Sequence, residues 1–267
     1  MGIPIRTVRT DHFTMNYITF GKGEEDFVIL PGLSVQSVMG AADMIAEAYA
    51  VIADEYTVYV FDRRNELPPS YSVYDMAEDT ANAFHALGLK DVYLFGASQG
   101  GMIALTIAAR YPELVKKLML GSSSARITEE QYSAVSKWTA LAKKRDGLNL
   151  SLEMGRALYP EALFEKYKEV LKNTGESITD DEFKRFITIA EGTANFDITD
   201  ELCNIKSPVL LLGSADDMVL PDAASEFECL FSGKADFESY LYHGYGHAAF
   251  DTAPDYKERL LRYMNKK

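Results

Sequence analysis

Five short, unbroken apolar runs punctuate the chain: Phe27-Val28-Ile29-Leu30, Val58-Tyr59-Val60-Phe61, Val92-Tyr93-Leu94-Phe95, Leu118-Met119-Leu120 and Val209-Leu210-Leu211-Leu212. They do not alternate apolar with polar, and most end at Gly, Pro or Asp. Strands buried on both faces read this way, so the runs predict a parallel sheet covered by helices. The intervening stretches supply the helices, at residues 37–53, at 74–87 before the C′ glycine Gly88, and at 100–110 before Tyr111-Pro112. Repeated strand–helix–strand units imply right-handed crossovers and a mostly parallel, doubly wound α/β sheet. Residues 14–19 alternate more and read as part of an antiparallel edge hairpin leading to the turn Gly21-Lys22-Gly23.

The rhythm stops between Ala125 and about Phe196. No strong strand run occurs there, but Thr128-Glu129-Glu130-Gln131 and Thr179-Asp180-Asp181-Glu182 both match a capping box, a hydroxyl three residues before Gln or Glu. Apolar residues follow at helical spacing: Tyr132, Val135, Trp138 and Leu141, then Phe183, Phe186, Ile187 and Ala190. The expectation is a helical insertion at 125–196 within a core formed by 1–124 and 197–267.

The chain is long enough, at 267 residues, for one large domain or a core with one insertion. Its net charge of −13 repels phosphate backbones and anionic membrane surfaces, which disfavours nucleic acid and membrane as partners. No apolar run approaches bilayer length, and no apolar segment follows the basic residues at the N-terminus, so a cytoplasmic location is expected. Cys203 and Cys229 read as buried small hydrophobes in a reducing compartment rather than as a disulfide framework. Two cysteines and four histidines at no ligand spacing argue against a metal site, and no nucleotide or flavin motif is present, so no cofactor is expected.

The sharpest local signal is Gly96-Ala97-Ser98-Gln99-Gly100, directly after one apolar run and directly before a helical one. This is G-x-S-x-G in a strand–turn–helix context. Such a turn forces the serine backbone into a strained conformation with Oγ clear of the sheet. Residues two before and two after must then be tiny, because side chains there collide across the turn. A serine nucleophile needs a base. Of the histidines, His243 and His247 follow the last strand-like stretch, 237–242, and so sit where open α/β sheets place ligands. His247, between Gly246 and Ala248, has the freer loop and is favoured over His243. An orienting carboxylate is offered by Asp216 and Asp217, beyond the run that ends at Leu212; counting back from Pro221 favours Asp217, with Asp216 left open. The chain order is Ser98, Asp217, His247.

These segments together resemble the α/β-hydrolase fold family, in its form with a helical cap. The likeness extends over nearly the whole chain: Leu30-Pro31-Gly32-Leu33, Phe61-Asp62-Arg63-Arg64, FGASQGGMIA followed by YPE, SPVLLLGSADDMVLP and GYGHAAF. It implies a catalytic triad of Ser98, Asp217 and His247, and an oxyanion hole made by the backbone N–H groups of Leu33 and Gln99. It also implies a cap over Ser98, in which Trp138 and Tyr159, with Met218 beside the acid, are candidates for binding substrate. Two departures stand out. Pro31-Gly32 replaces a frequent His-Gly, and Arg63-Arg64-Asn65-Glu66 replaces a frequent Gly-His-Gly segment, which alters the pocket rim.

The resemblance implies a serine hydrolase, with a small-molecule acyl substrate as its partner and a monomer or homodimer as its state. Because the expected cap carries no charged cluster that can be assigned to a substrate, a small or medium, largely uncharged carboxylic ester or related acyl bond is expected. A serine nucleophile, rather than aspartate, argues against haloalkane or epoxide hydrolysis. An acyltransferase, a cofactor-free carbon–carbon bond hydrolase, or a small-molecule receptor that keeps the triad are the other classes it admits.

Overall fold

A computed structural model describes residues 2–266. Eight strands form one sheet: β1 (Arg6–Arg9), β2 (Thr14–Gly21), β3 (Glu25–Leu30), β4 (Tyr56–Arg64), β5 (Val92–Ala97), β6 (Val115–Gly121), β7 (Val209–Ser214) and β8 (Phe237–Tyr242). Their order is β1-β2-β4-β3-β5-β6-β7-β8. The β1/β2 and β2/β4 pairings are antiparallel and all others are parallel. All five apolar runs fall within parallel strands of this sheet. The alternating segment is β2, which lies one strand inside the edge, between β1 and β4.

The continuous runs are apolar throughout because both faces of the sheet are covered. Side chains alternate across a strand. Thus Val28, Leu30, Val92 and Leu94 enter one core with α3 (Val73–Leu87) and α4 (Gln99–Arg110), while Phe27, Ile29, Tyr93 and Phe95 enter a second. That second core packs on α1 (Ala42–Ala48), α2 (Ala50–Ala53) and the C-terminal helix α11 (Tyr256–Met264). The helix expected over 37–53 is broken: a 3-10 turn at Val38–Ala41 precedes α1, and Tyr49, with φ −104° and ψ 15°, separates α1 from α2.

Between β6 and β7 lie four helices: α5 (Glu129–Lys143), α6 (Gly147–Leu158), α7 (Glu161–Glu176) and α8 (Asp180–Glu191). Both capping boxes form. Thr128 caps α5 and Thr179 caps α8, each side chain accepting from the N3 backbone while the N3 side chain accepts from the cap N–H. Each such cap contributes about 1 kcal/mol. After β7 come α9 (Ala223–Leu230) and, beyond β8, the single turn α10 (Ala249–Thr252). The cysteines differ from expectation. Cys203, in a 3-10 helix, and Cys229, near the end of α9, are both exposed. Each lies in a short helix with only one side against the core, so an apolar residue type is no guide to burial there.

At the junction between β5 and α4 the main chain packs closely enough to require glycine. A Cβ on Gly96 would stand 2.3 Å from the Gly100 carbonyl oxygen, and one on Gly100 would stand 2.0 Å from the Leu30 carbonyl oxygen. Both contacts are with main chain, which cannot swing aside. Gly100→Ala is therefore expected to destabilise the protein by about 3 kcal/mol, lowering the melting temperature by roughly 10 °C. Calorimetry checks this; an unchanged melting temperature would mean that the two segments are not packed this closely.

Candidate functional site

Ser98 sits at the β5–α4 junction with φ 52° and ψ −122°, a conformation that non-glycine residues rarely adopt and that costs about 1–3 kcal/mol. Its N–H donates to the Gly121 carbonyl at 2.8 Å, and its carbonyl accepts from Ser123 Oγ at 2.8 Å, so neighbouring β6 and the loop after it hold the bend. Oγ consequently stands above the carboxyl end of the sheet, half-buried, at the N-terminus of α4.

His247 meets it. The loop after β8 brings the imidazole Nε2 to 2.9 Å from Ser98 Oγ. On the other side Nδ1 lies 2.9 Å and 2.7 Å from the two carboxylate oxygens of Asp217. An ionised carboxylate only accepts, so Nδ1 carries the proton and Nε2 is free to accept from the serine hydroxyl. The imidazole is 1% exposed, which excludes competing water from both of its bonds. Asp217 Oδ1 also accepts the N–H groups of Val219 and Leu220, each at 2.8 Å. Burial alone pushes the Asp217 carboxyl up; the imidazole and these two N–H groups outweigh it and hold the group below the ordinary carboxylate range.

The adjacent acid has a different task. Asp216 accepts from Ser214 Oγ at 3.0 Å, from Gly244 N–H at 3.1 Å and from Gly246 N–H at 3.2 Å. It braces the loop that carries His247, while Asp217 faces the ring. His243 is exposed and makes none of these contacts. The Ala248 N–H donates to the Leu158 carbonyl at 3.0 Å, so the end of α6 holds the same loop from above.

Leu33 lies in the loop after β3, beside Ser98. A Cβ on Gly32 would be 3.1 Å from the Ser98 Cβ, which explains the glycine there. Among the described residues no acceptor takes the N–H of Leu33 or of Gln99. The Gln99 side chain is buried and fully used: Oε1 accepts from Arg63 Nη2 at 3.0 Å, and Nε2 donates to the Ile189 carbonyl at 3.0 Å and to Thr193 Oγ1 at 2.7 Å. Arg63 Nη2 also donates to the Pro31 carbonyl at 2.9 Å. This buried guanidinium, whose pKa burial lowers to about 10, joins the Pro31–Leu33 loop to the residue after Ser98. Arg185 on α8 pairs with Asp62 at 2.8 Å, so α8 is tied to the same rim. Arg63 and Arg185 were not singled out by the sequence, although Arg63 stands in one of the two segments that depart from the family pattern.

A cavity of about 240 Å³ opens beside Ser98 and His247. Its walls are mainly apolar, including Val38, Ile45, Val60, Phe95, Leu158 and Phe250. The three residues expected to bind substrate lie elsewhere. Trp138 is 4% exposed and packs in the core beneath α5. Tyr159 and Met218 line a separate recess with Asp216 and Asp217, and Met218 is 72% exposed. The wall of the Ser98 cavity comes instead from strand ends, α1 and α10, with Leu158 as the contribution of the inserted helices.

Because the carboxyl of Asp217 is held below its unfolded range, its stabilising contribution is complete above the ordinary carboxylate pKa, near 4, and fades as pH falls through its lower folded value. The stability advantage of the wild type over Asp217→Asn is thus expected to shrink as pH drops below about 4. Urea titrations of both proteins across that range check it; an advantage independent of pH would contradict the pairing.

The family model described as alpha/beta hydrolase fold matches residues 27–254. The chain is 30% identical over 145 residues to a serine hydrolase (BPHL) from Mus musculus, and that match spans about half of each protein, 49% of this chain and 48% of the relative. It is 22% identical over 232 residues to 3-oxoadipate enol-lactonase 2 from Acinetobacter baylyi, across 84% of this chain and 83% of that one. Among solved structures, MGS-M2, an alpha/beta hydrolase enzyme from a Medee basin deep-sea metagenome library, superposes with a TM-score of 0.86 at 21% identity over 98% of both chains. With its mostly parallel eight-stranded sheet and the helices inserted between β6 and β7, the chain belongs to the alpha/beta hydrolase fold family.

Proposed function

We propose that this protein is a serine hydrolase that cleaves a small to medium, largely apolar carboxylic ester through an acyl-enzyme. Ser98 Oγ attacks the acyl carbonyl while His247 takes its proton, then passes that proton to the departing alcohol. Asp217 holds the imidazole in the required tautomer and stabilises its charged form. The oxyanion is received by the N–H groups of Leu33 and Gln99, each such donor contributing about 3–4 kcal/mol when removed. Water then attacks the acyl carbon and gives a proton to His247; the bond from Ser98 Oγ to the acyl group breaks, His247 returns the proton to Oγ, and the acid leaves.

The observation that carries this reading is the unbroken line of hydrogen bonds from Asp217 through His247 to Ser98 at the edge of an apolar cavity. Two unclaimed N–H groups, on Leu33 and Gln99, support the oxyanion site. The cavity volume favours a small acyl group, since pockets for drug-sized ligands run from about 300 Å³ upwards. A relative named as an enol-lactonase fits the same chemistry, because a lactone is a cyclic ester. We take residues 125–196 as a cap on the core of 1–124 and 197–267, seated through Arg185–Asp62 and through Gln99.

Ser98→Ala is expected to lower kcat/KM for a short-chain p-nitrophenyl ester by about 10,000-fold without changing the circular dichroism spectrum. Leu33→Ala leaves the main-chain donor in place and should cost less than about tenfold. A fluorophosphonate probe should label Ser98 in the wild type and nothing in the Ser98→Ala variant. Esterase activity that survives in that variant, or labelling at another residue, rules the assignment out.

A further inference from the structure

One wall of the Ser98 cavity is not apolar. Asp251 follows His247 by four residues, on the single turn α10, and both side chains line the same cavity. Among the described residues its carboxylate takes part in no hydrogen bond and no ion pair within 4 Å. Asp251 is exposed at the mouth of this cavity, where its carboxylate meets water, and the protein packed around it raises its carboxyl above the ordinary range. The nearby cation does not satisfy it. Lys257 Nζ is turned to the main chain, donating to the Phe250 carbonyl at 2.6 Å and the Asp251 carbonyl at 3.4 Å. The Tyr49 hydroxyl, on the same cavity wall, is likewise given no partner among the described residues.

A carboxylate that no protein cation or donor engages, at the mouth of an otherwise apolar pocket, is free to pair with a cationic group on a ligand that enters there. Asp251 shares this cavity with Ser98 and His247. We propose that Asp251 is a specificity-determining residue and that the substrate is an ester carrying a protonated amine. An ammonium supplies the charge-assisted hydrogen bond that a neutral hydroxyl does not. The Tyr49 hydroxyl offers that ammonium a second acceptor, and a chain of net charge −13 draws cations towards it. The remainder of the substrate is apolar, matching the other walls. This departs from the uncharged substrate expected from the sequence, which rested on the absence of a charged cluster in the inserted helices; the charge is on α10. The inference builds on the hydrolase reading and narrows it.

The test compares kcat/KM for matched pairs of esters with the wild type, Asp251→Asn and Asp251→Ser. One set places a terminal amine on the acyl group (p-nitrophenyl ω-aminoacyl esters against alkyl esters of equal length). A second places it on the alcohol (2-aminoethyl butyrate against propyl butyrate). The expected result is at least a tenfold preference of the wild type for the amine-bearing member in one set, with that preference falling to about threefold or less in both variants. The ratio is the readout, because any effect of Asp251 on His247 falls on both esters and cancels. Should the variants fail to fold, competition in the wild type decides: butylammonium should inhibit alkyl-ester hydrolysis at concentrations at least tenfold below those of butanol. No preference in either set, a preference unaltered by the substitutions, or equal inhibition by amine and alcohol overturns the proposal. Alkyl-ester turnover together with fluorophosphonate labelling of Ser98 separates the two readings. If both occur and the preference does not, only the amine is wrong; if both are absent, the hydrolase reading fails first.

Discussion

The backbone of Ser98 carries a conformation that a free chain avoids, and much of the surrounding structure exists to hold it. Its φ of 52° is compatible with the β5–α4 turn only because Gly96 and Gly100 leave room for main chain on either side. The strain, of order 1–3 kcal/mol, is offset by burial on both flanks. Every residue of β5 is buried, and α4 is buried from Gln99 to Ala109, so neither element has freedom to relax the turn. The result is a hydroxyl fixed in position, which in the proposed reaction supplies the entropic part of catalysis.

The remaining groups reach Ser98 from distant parts of the chain, and each is held by a separate device. His247 is placed by a loop braced by Asp216 below and by Leu158 above. Asp217 is fixed by two main-chain N–H groups, and the loop that follows it accepts Gln131 Nε2, from α5, at the Pro221 carbonyl. The Pro31–Leu33 loop is tied to Gln99 through Arg63, and Gln99 is tied to α8. The inserted helices therefore contact all three loops around Ser98: the His247 loop through α6, the Asp217 loop through α5, and the Gln99 and Pro31–Leu33 side through α8. A displacement of these helices would be felt by the site through hydrogen bonds rather than through shape alone.

What the sequence made legible was local. A strand buried on both faces, a glycine-flanked serine and a capping box each depend on neighbours within a few residues, so they survive without coordinates. Spacing from Pro221 favoured Asp217 and left Asp216 open; the bracing contacts of Asp216 had no local signal, because its partners Gly244 and Gly246 lie some 30 residues away. Helical spacing in α5 correctly marked Trp138 as inward-facing. It could not say that inward meant the core and not the cavity. The residues that do line the cavity, such as Phe95, Ile45 and Tyr49, read as ordinary core because they pack on one side and face the cavity on another. Nothing in the sequence singled out Asp251. Only the position of α10 beside Ser98 gives it a place in the site.

Trapping the covalent intermediate tests the central claim most directly. The protein is mixed with a slowly hydrolysed aryl ester, quenched in acid during turnover and digested for mass spectrometry. The expected result is one acyl group per chain on Ser98, appearing as fast as the initial burst of released phenol. Continued turnover with Ser98 unmodified, or an acyl group carried stoichiometrically by another residue, would contradict it.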